Sequence, residues 1–145
     1  MDFQDKNNIF YKMIYGDEAY FKVYENDDFL VILDIFPFNL GHCLILPKIP
    51  AVDIFDLSLE SAKKIYPLAQ KIAKAVSYVT GCDGIRIMQN TKKEAGQVVF
   101  YFHLHVIPYF EGDMDENRTA KSFTKDDFAS MSAKLSGLLM PTYVS

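Results

Sequence analysis

The order in which hydrophobic periods follow one another constrains this chain's fold more than any other feature. Residues 21–24 and 29–35 are strand-length runs rich in aromatic and branched side chains, and the polar Glu25-Asn26-Asp27-Asp28 between them supplies turn chemistry. The pair reads as a hairpin. Residues 41–46 form a third run of the same kind, closed by Pro47 and again by Pro50. A helical period then takes over. Ala62, Ile65, Tyr66, Ala69, Ile72, Ala73, Val76 and Val79 recur at intervals of three and four between a capping Ser58 and a terminating Gly81. Pro67 falls inside this pattern and is expected to kink the helix. Two more strands are predicted at 84–88 and 97–107, joined by the polar loop 89–96.

Shorter signals complete the chain. Ile9, Phe10, Met13 and Ile14 suit a short amphipathic helix ending near Gly16. Residues 111–121 are acidic and polar and read as a loop. Thr124, with Asp127 three positions on, is expected to cap a final helix to Met140, stopped by Pro141. The sum is an α+β fold: an antiparallel sheet of about five strands, a short N-terminal helix and two longer helices, in one domain over residues 1–145.

Bulk properties narrow the partners. The formal charge of −4, with no basic face evident along the chain, argues against nucleic acid as a partner and leaves a small anionic ligand open. No apolar run approaches the roughly 20 residues that span a bilayer. Residues 1–8 lack the order of a signal peptide, so a cytoplasmic location is expected. Cys43 and Cys82 are expected to be reduced, and they have no metal-site spacing.

The chemistry gathers in residues 101–108. Strand alternation sends Tyr101, His103 and His105 to one side, and Phe100, Phe102, Leu104 and Val106 to the other, into the core. Two imidazoles so spaced can embrace one phosphate: a neutral ring nitrogen attacks, and a neighbouring protonated ring steadies the charge. On these residues alone, a solvent-facing strand or a pair of metal ligands is the favoured reading.

The flanking residues go further. Gly96-Gln97-Val98-Val99 leads into the strand and Val106-Ile107-Pro108 leaves it, and the whole segment resembles the signature of the histidine triad superfamily. Leu33-Asp34-Ile35-Phe36-Pro37 with Gly41-His42-Cys43-Leu44-Ile45-Leu46-Pro47-Lys48 resembles that family's second motif. Ile9-Phe10, Lys12, Gly16 and Asp17-Glu18 resemble its opening stretch, so the similarity spans roughly residues 8 to 109.

The resemblance implies an α+β homodimer that hydrolyses or transfers purine nucleotides at the α-phosphate, with no metal and no cofactor. It implies His103 as the nucleophile, transiently nucleotidylated, and His105 as the phosphate-binding residue. Asp34 would accept both ribose hydroxyls; Phe10, Met13, Ile32 and Ile35 would wall the base; Asn90, Gln97 and Val98 would approach the phosphate. His42 would support the site from the neighbouring strand.

Two departures stand out. Tyr101 occupies the place of the first triad histidine, where its main-chain carbonyl still serves His103 but its phenol supplies no imidazole to link with His42. A slower site, or a relay rebuilt around Tyr101 and His42, is the expectation. Asn8 and Tyr11 stand where many bacterial relatives carry a Cys-x-x-Cys zinc pair, so no structural zinc is expected there. Two alternatives stay open: a nucleoside monophosphate-binding module whose catalysis has faded, and a metal-binding scaffold built on His42, His103 and His105. The lack of a neighbouring carboxylate or thiol in the sequence counts against the scaffold.

Overall fold

Alternation along the strands decides how this molecule is layered. In β2 (Phe29–Leu33), Phe29, Val31 and Leu33 belong to one buried cluster, and Leu30 and Ile32 belong to another. In β3 (Cys43–Pro47), Cys43 and Ile45 join the first cluster, and Leu44 and Leu46 the second. Both faces of the sheet are therefore covered, which is why these two strands are apolar at every position.

The computed structural model describes residues 7–140, so Pro141, the expected helix stop, lies outside the described residues. The remaining elements are α1 (Ile9–Tyr15), β1 (Lys22–Glu25), α2 (Leu59–Thr80), β4 (Gly84–Met88), β5 (Leu104–Tyr109) and α3 (Lys125–Leu139). One 3-10 turn, Lys93–Ala95, interrupts the loop after β4. The five strands form one antiparallel sheet in the order β1-β2-β3-β5-β4. Helices α2 and α3 cover one face around Ile72, Val76 and Leu135, and α1 covers the other through Phe10 and Met13. Among the described residues, no helix is long and apolar enough to cross a membrane.

Local chemistry sets the boundaries. The Asn8 side chain accepts the N–H groups of Phe10 and Tyr11 at 3.0 and 3.3 Å, starting α1. Ser58 caps α2, and Gly81 ends it at a left-handed φ of 67°. Thr124 and Asp127 form the reciprocal capping box of α3. Helix α2 runs through Pro67 as one 22-residue element. Lys63 and Pro67 are both exposed, so solvent can replace the donor that the Lys63 carbonyl loses.

The last strand departs from expectation. β5 begins at Leu104, not at residue 97, and 97–103 is a loop that bends at 99–101. Its partner β3 ends at Pro47, which has no N–H to continue the ladder, and the Phe102 N–H goes to the Ala51 carbonyl at 2.6 Å. Alternation persists through the loop: Phe102 lies in the first cluster and Tyr101 in the second. Phe100, expected in the core, is only half-buried and belongs to neither cluster.

Candidate active site

Residues from four elements meet on the α1 face of the sheet. His105 lies in β5 opposite Leu44 of β3, one residue from Cys43, and this register brings His42 beside it. The His42 Nε2 and His105 Nδ1 atoms are 2.9 Å apart. His103 precedes β5 on the same face, with ring centroids 4.9 Å from His105 and 5.0 Å from the edge-on Phe10 ring. Asp34 follows β2, and its Oδ2 lies 3.5 Å from His42 Nε2.

The hydrogen bonds fix where each ring proton resides. The Phe38 N–H donates to His42 Nδ1 at 3.1 Å, so Nδ1 is bare and Nε2 carries the proton. Both neighbours of that proton accept: His105 Nδ1 and, more distantly, the Asp34 carboxylate. His105 is thereby left with its proton on Nε2, a donor for a ligand. His103 Nδ1 donates to the Tyr101 carbonyl at 2.7 Å, which leaves His103 Nε2 bare. One ring thus offers a lone pair and its neighbour offers an N–H.

Burial keeps all three rings neutral. It pushes His103 below the ordinary 6.5, against the opposing pull of the Tyr101 carbonyl and Asp34. Burial, then the neighbouring His103 and His42, pushes His105 down to about 3. His42 is lowered chiefly by burial, with Asp34 opposing. This corrects the expectation of a protonated ring beside His103: His105 is neutral, with an Nε2–H to offer.

A cavity of about 600 Å³ opens over these groups. Phe10, Met13, Ile32, Ile35, Asp34, Asn90, Val98, His103 and His105 line it, as the sequence suggested. Ala19, Tyr20, Phe21 and Lys125, outside the motifs, also line it, as do Phe36 and Leu44, which lie within the second motif but were given no site role.

Two predicted residues sit elsewhere. Gln97 is buried beneath the loop, where its Nε2 donates to the Val52 carbonyl at 2.7 Å and its Oε1 accepts from the Lys92 N–H at 2.8 Å. Its side chain shapes the loop and does not line the cavity. Tyr101 is fully buried, and its hydroxyl donates to the Pro47 carbonyl. The Tyr101 hydroxyl thus points to β3, while His42 pairs directly with His105.

A carboxylate does stand near the histidines, contrary to the sequence reading. Asp34, His42 and His105 bring donor atoms within 4.8 Å of one another, a set able to hold a metal ion. A metal there would displace the His42 Nε2 proton and break the His42–His105 hydrogen bond, while the Phe38 N–H still engages Nδ1. The side chains present are already paired as a hydrogen-bonded chain, which fits a metal poorly.

An open antiparallel sheet presenting paired histidines to a largely apolar cavity defines a histidine triad type of small-ligand site. Residues 16–112 match the HIT domain family, and the chain belongs to that family. It is 38% identical over 109 residues to Protein hit of Bacillus subtilis, covering 74% of this chain and 75% of that protein. It is 38% identical over 100 residues to the adenosine 5′-monophosphoramidase of Schizosaccharomyces pombe, covering 69% and 72%. Its fold matches the crystal structure of a Hit-like protein involved in cell-cycle regulation from Bartonella henselae. That match has a TM-score of 0.82 at 32% identity and covers 93% of this chain and 98% of that one.

Proposed function

We propose that this protein is a metal-independent hydrolase or transferase acting at the α-phosphate of purine nucleoside 5′-phosphoramidates, acyl-nucleotides or dinucleoside polyphosphates. The observation that carries this reading is the pairing of a bare His103 Nε2 with a His105 Nε2–H over one apolar cavity. The His103 lone pair forms a bond to phosphorus as the bond to the leaving group breaks, and the leaving group departs with that electron pair and takes a proton from solvent. Water then cleaves the P–N bond, releasing the nucleoside monophosphate and restoring His103. His105 donates to a phosphate oxygen throughout. Asp34 receives the ribose hydroxyls, Phe10, Met13, Ile32 and Ile35 flank the base, and Asn90 with Val98 borders the phosphate. In this reading Tyr101 stands in the place of the first triad histidine. The similarity to the fission yeast phosphoramidase supports the choice of substrate class.

The test is AMP release from adenosine 5′-phosphoramidate in the presence of a chelator, with His103→Ala alongside. Turnover in the wild type, and loss of at least about a hundredfold in the variant, is the expected result. Release abolished by the chelator would sink the metal-independent mechanism, and equal activity in His103→Ala would remove the nucleophile. Tight AMP binding without turnover would reduce the protein to a nucleotide-binding module.

A further inference from the structure

The loop after β5 reaches back across the molecule to the turn that precedes His42. Arg118 is the centre of this contact. Its Nη2 donates to the Phe38 carbonyl and, at 3.0 Å, to Asn39 Oδ1, and its Nε donates to Asp113 Oδ1 at 3.0 Å. The guanidinium carbon stands 3.6 Å from the Phe38 ring centroid, and that ring stacks on Tyr109 of β5. Asn39 is only 1% exposed, and its Nδ2 gives its two hydrogens to the Pro108 carbonyl at 2.9 Å and Asp113 Oδ2 at 2.7 Å.

The two residues held in this way are the ones that hold His42. The Phe38 N–H donates to the ring at Nδ1, and the Asn39 carbonyl accepts the His42 backbone N–H at 3.1 Å. We infer that Arg118, through Phe38 and Asn39, is a positioning residue that sets the His42 tautomer and, through it, the tautomer of His105. The chain of protons runs in one direction. Phe38 N–H keeps His42 Nδ1 bare, His42 Nε2–H keeps His105 Nδ1 bare, and His105 is left with its Nε2 proton facing the cavity. A neutral histidine without this constraint divides between two tautomers, and in the wrong one His105 presents a lone pair to an anionic ligand.

A planar guanidinium is suited to the task. It spans a main-chain carbonyl, an amide oxygen and a carboxylate in one plane while stacking on an aromatic face, which a lysine ammonium does not do. Arg118→Lys therefore keeps a cation beside Asp113 and loses the clamp.

The chain has three histidines, all in this site, so ring ¹⁵N shifts of the labelled full-length protein report each tautomer directly. In the wild type, His42 and His105 should carry their protons on Nε2 and His103 on Nδ1. In Arg118→Ala and Arg118→Lys, the His42 and His105 signals should move to mixed-tautomer values while His103 stays fixed. Arg118→Lys serves where the alanine variant does not fold. Its kcat on adenosine 5′-phosphoramidate should fall about tenfold with KM within about twofold, since Asp34 and the cavity walls are untouched. Pure Nε2–H tautomers at His42 and His105 in the folded variants would overturn the inference, whatever the kinetics, and so would a wild-type His42 protonated on Nδ1. The kinetic arm rests on the proposed function and the tautomer arm does not. A wild type inert towards the phosphoramidate, with tautomers that still respond to Arg118, would remove that function and uphold the clamp.

Discussion

Tyr101 serves this molecule through three different parts. Its carbonyl accepts the His103 Nδ1–H, its ring fills the cluster under α1 at 6.5 Å from Phe10, and its hydroxyl donates to the Pro47 carbonyl. Burial raises its pKa above the ordinary 10, so the phenol stays neutral. The contact with His103 is made by the carbonyl, and any residue has one. Tyr101→Phe should therefore keep kcat for phosphoramidate hydrolysis within about threefold. It should lose about 1–2 kcal/mol of stability in chemical denaturation, because the Pro47 carbonyl is left without this donor. A tenfold loss of kcat at unchanged stability would put the phenol back into the relay. Cys43 is a contrasting case: it is fully buried and its thiol is pushed up by burial, so it is an inert core residue.

At the scale of elements, the two edges of the sheet differ. The β1 edge is covered, because Ser132 and Ser136 of α3 donate their hydroxyls to the Lys22 carbonyl and Ser136 also reaches that of Val23. β4 pairs with β5 on one side only, with Gly84 and Arg86 exposed, and leaves its outer edge open to another strand. We propose that the homodimer implied by the family resemblance forms along that edge, in which case light scattering after gel filtration gives twice the 16.6 kDa chain mass. A species of single-chain mass at micromolar concentration would refute it. The elements themselves were legible in the sequence because periods, caps and turn residues are local: Ser58, Gly81 and the Thr124–Asp127 pair each act within one turn. The start of β5 was not, since it depends on where β3 stops at Pro47 and on the Ala51 carbonyl. Gln97 was misplaced for a similar reason, its amide being taken by Val52, 45 positions away. The histidines and Asp34 were legible as motifs, whereas Arg118 meets Asn39 across 79 positions and leaves no periodic trace.

At the scale of the whole molecule, the site makes folding depend on pH in a window of its own. His42, His103 and His105 all have folded pKa values below the 6.5 expected for the unfolded chain. As pH falls below 6.5 the unfolded state takes up protons that the folded state resists, so stability is full above that value and declines beneath it. For His105, pushed down to about 3, the loss at pH 5 is on the order of 1–2 kcal/mol after discounting for its partial exposure. Carboxylates act lower. Glu25 is held below 4.5 by its hydrogen bonds to Lys22 and Lys48, and Asp113 below 3.8 first by the Phe110 N–H, so their contributions are lost only in stronger acid. Urea midpoints at pH 7.5, 6 and 5 therefore isolate the histidines, and His105→Gln should flatten the decline by roughly the His105 share. The same burial holds His103 below the ordinary 6.5 and so favours the unprotonated ring that the proposed chemistry needs. A midpoint unchanged between pH 7.5 and 5 would mean that the folded rings accept protons as readily as the unfolded chain, and the bare Nε2 on which the proposed chemistry depends would then be confined to pH values above about 6.5.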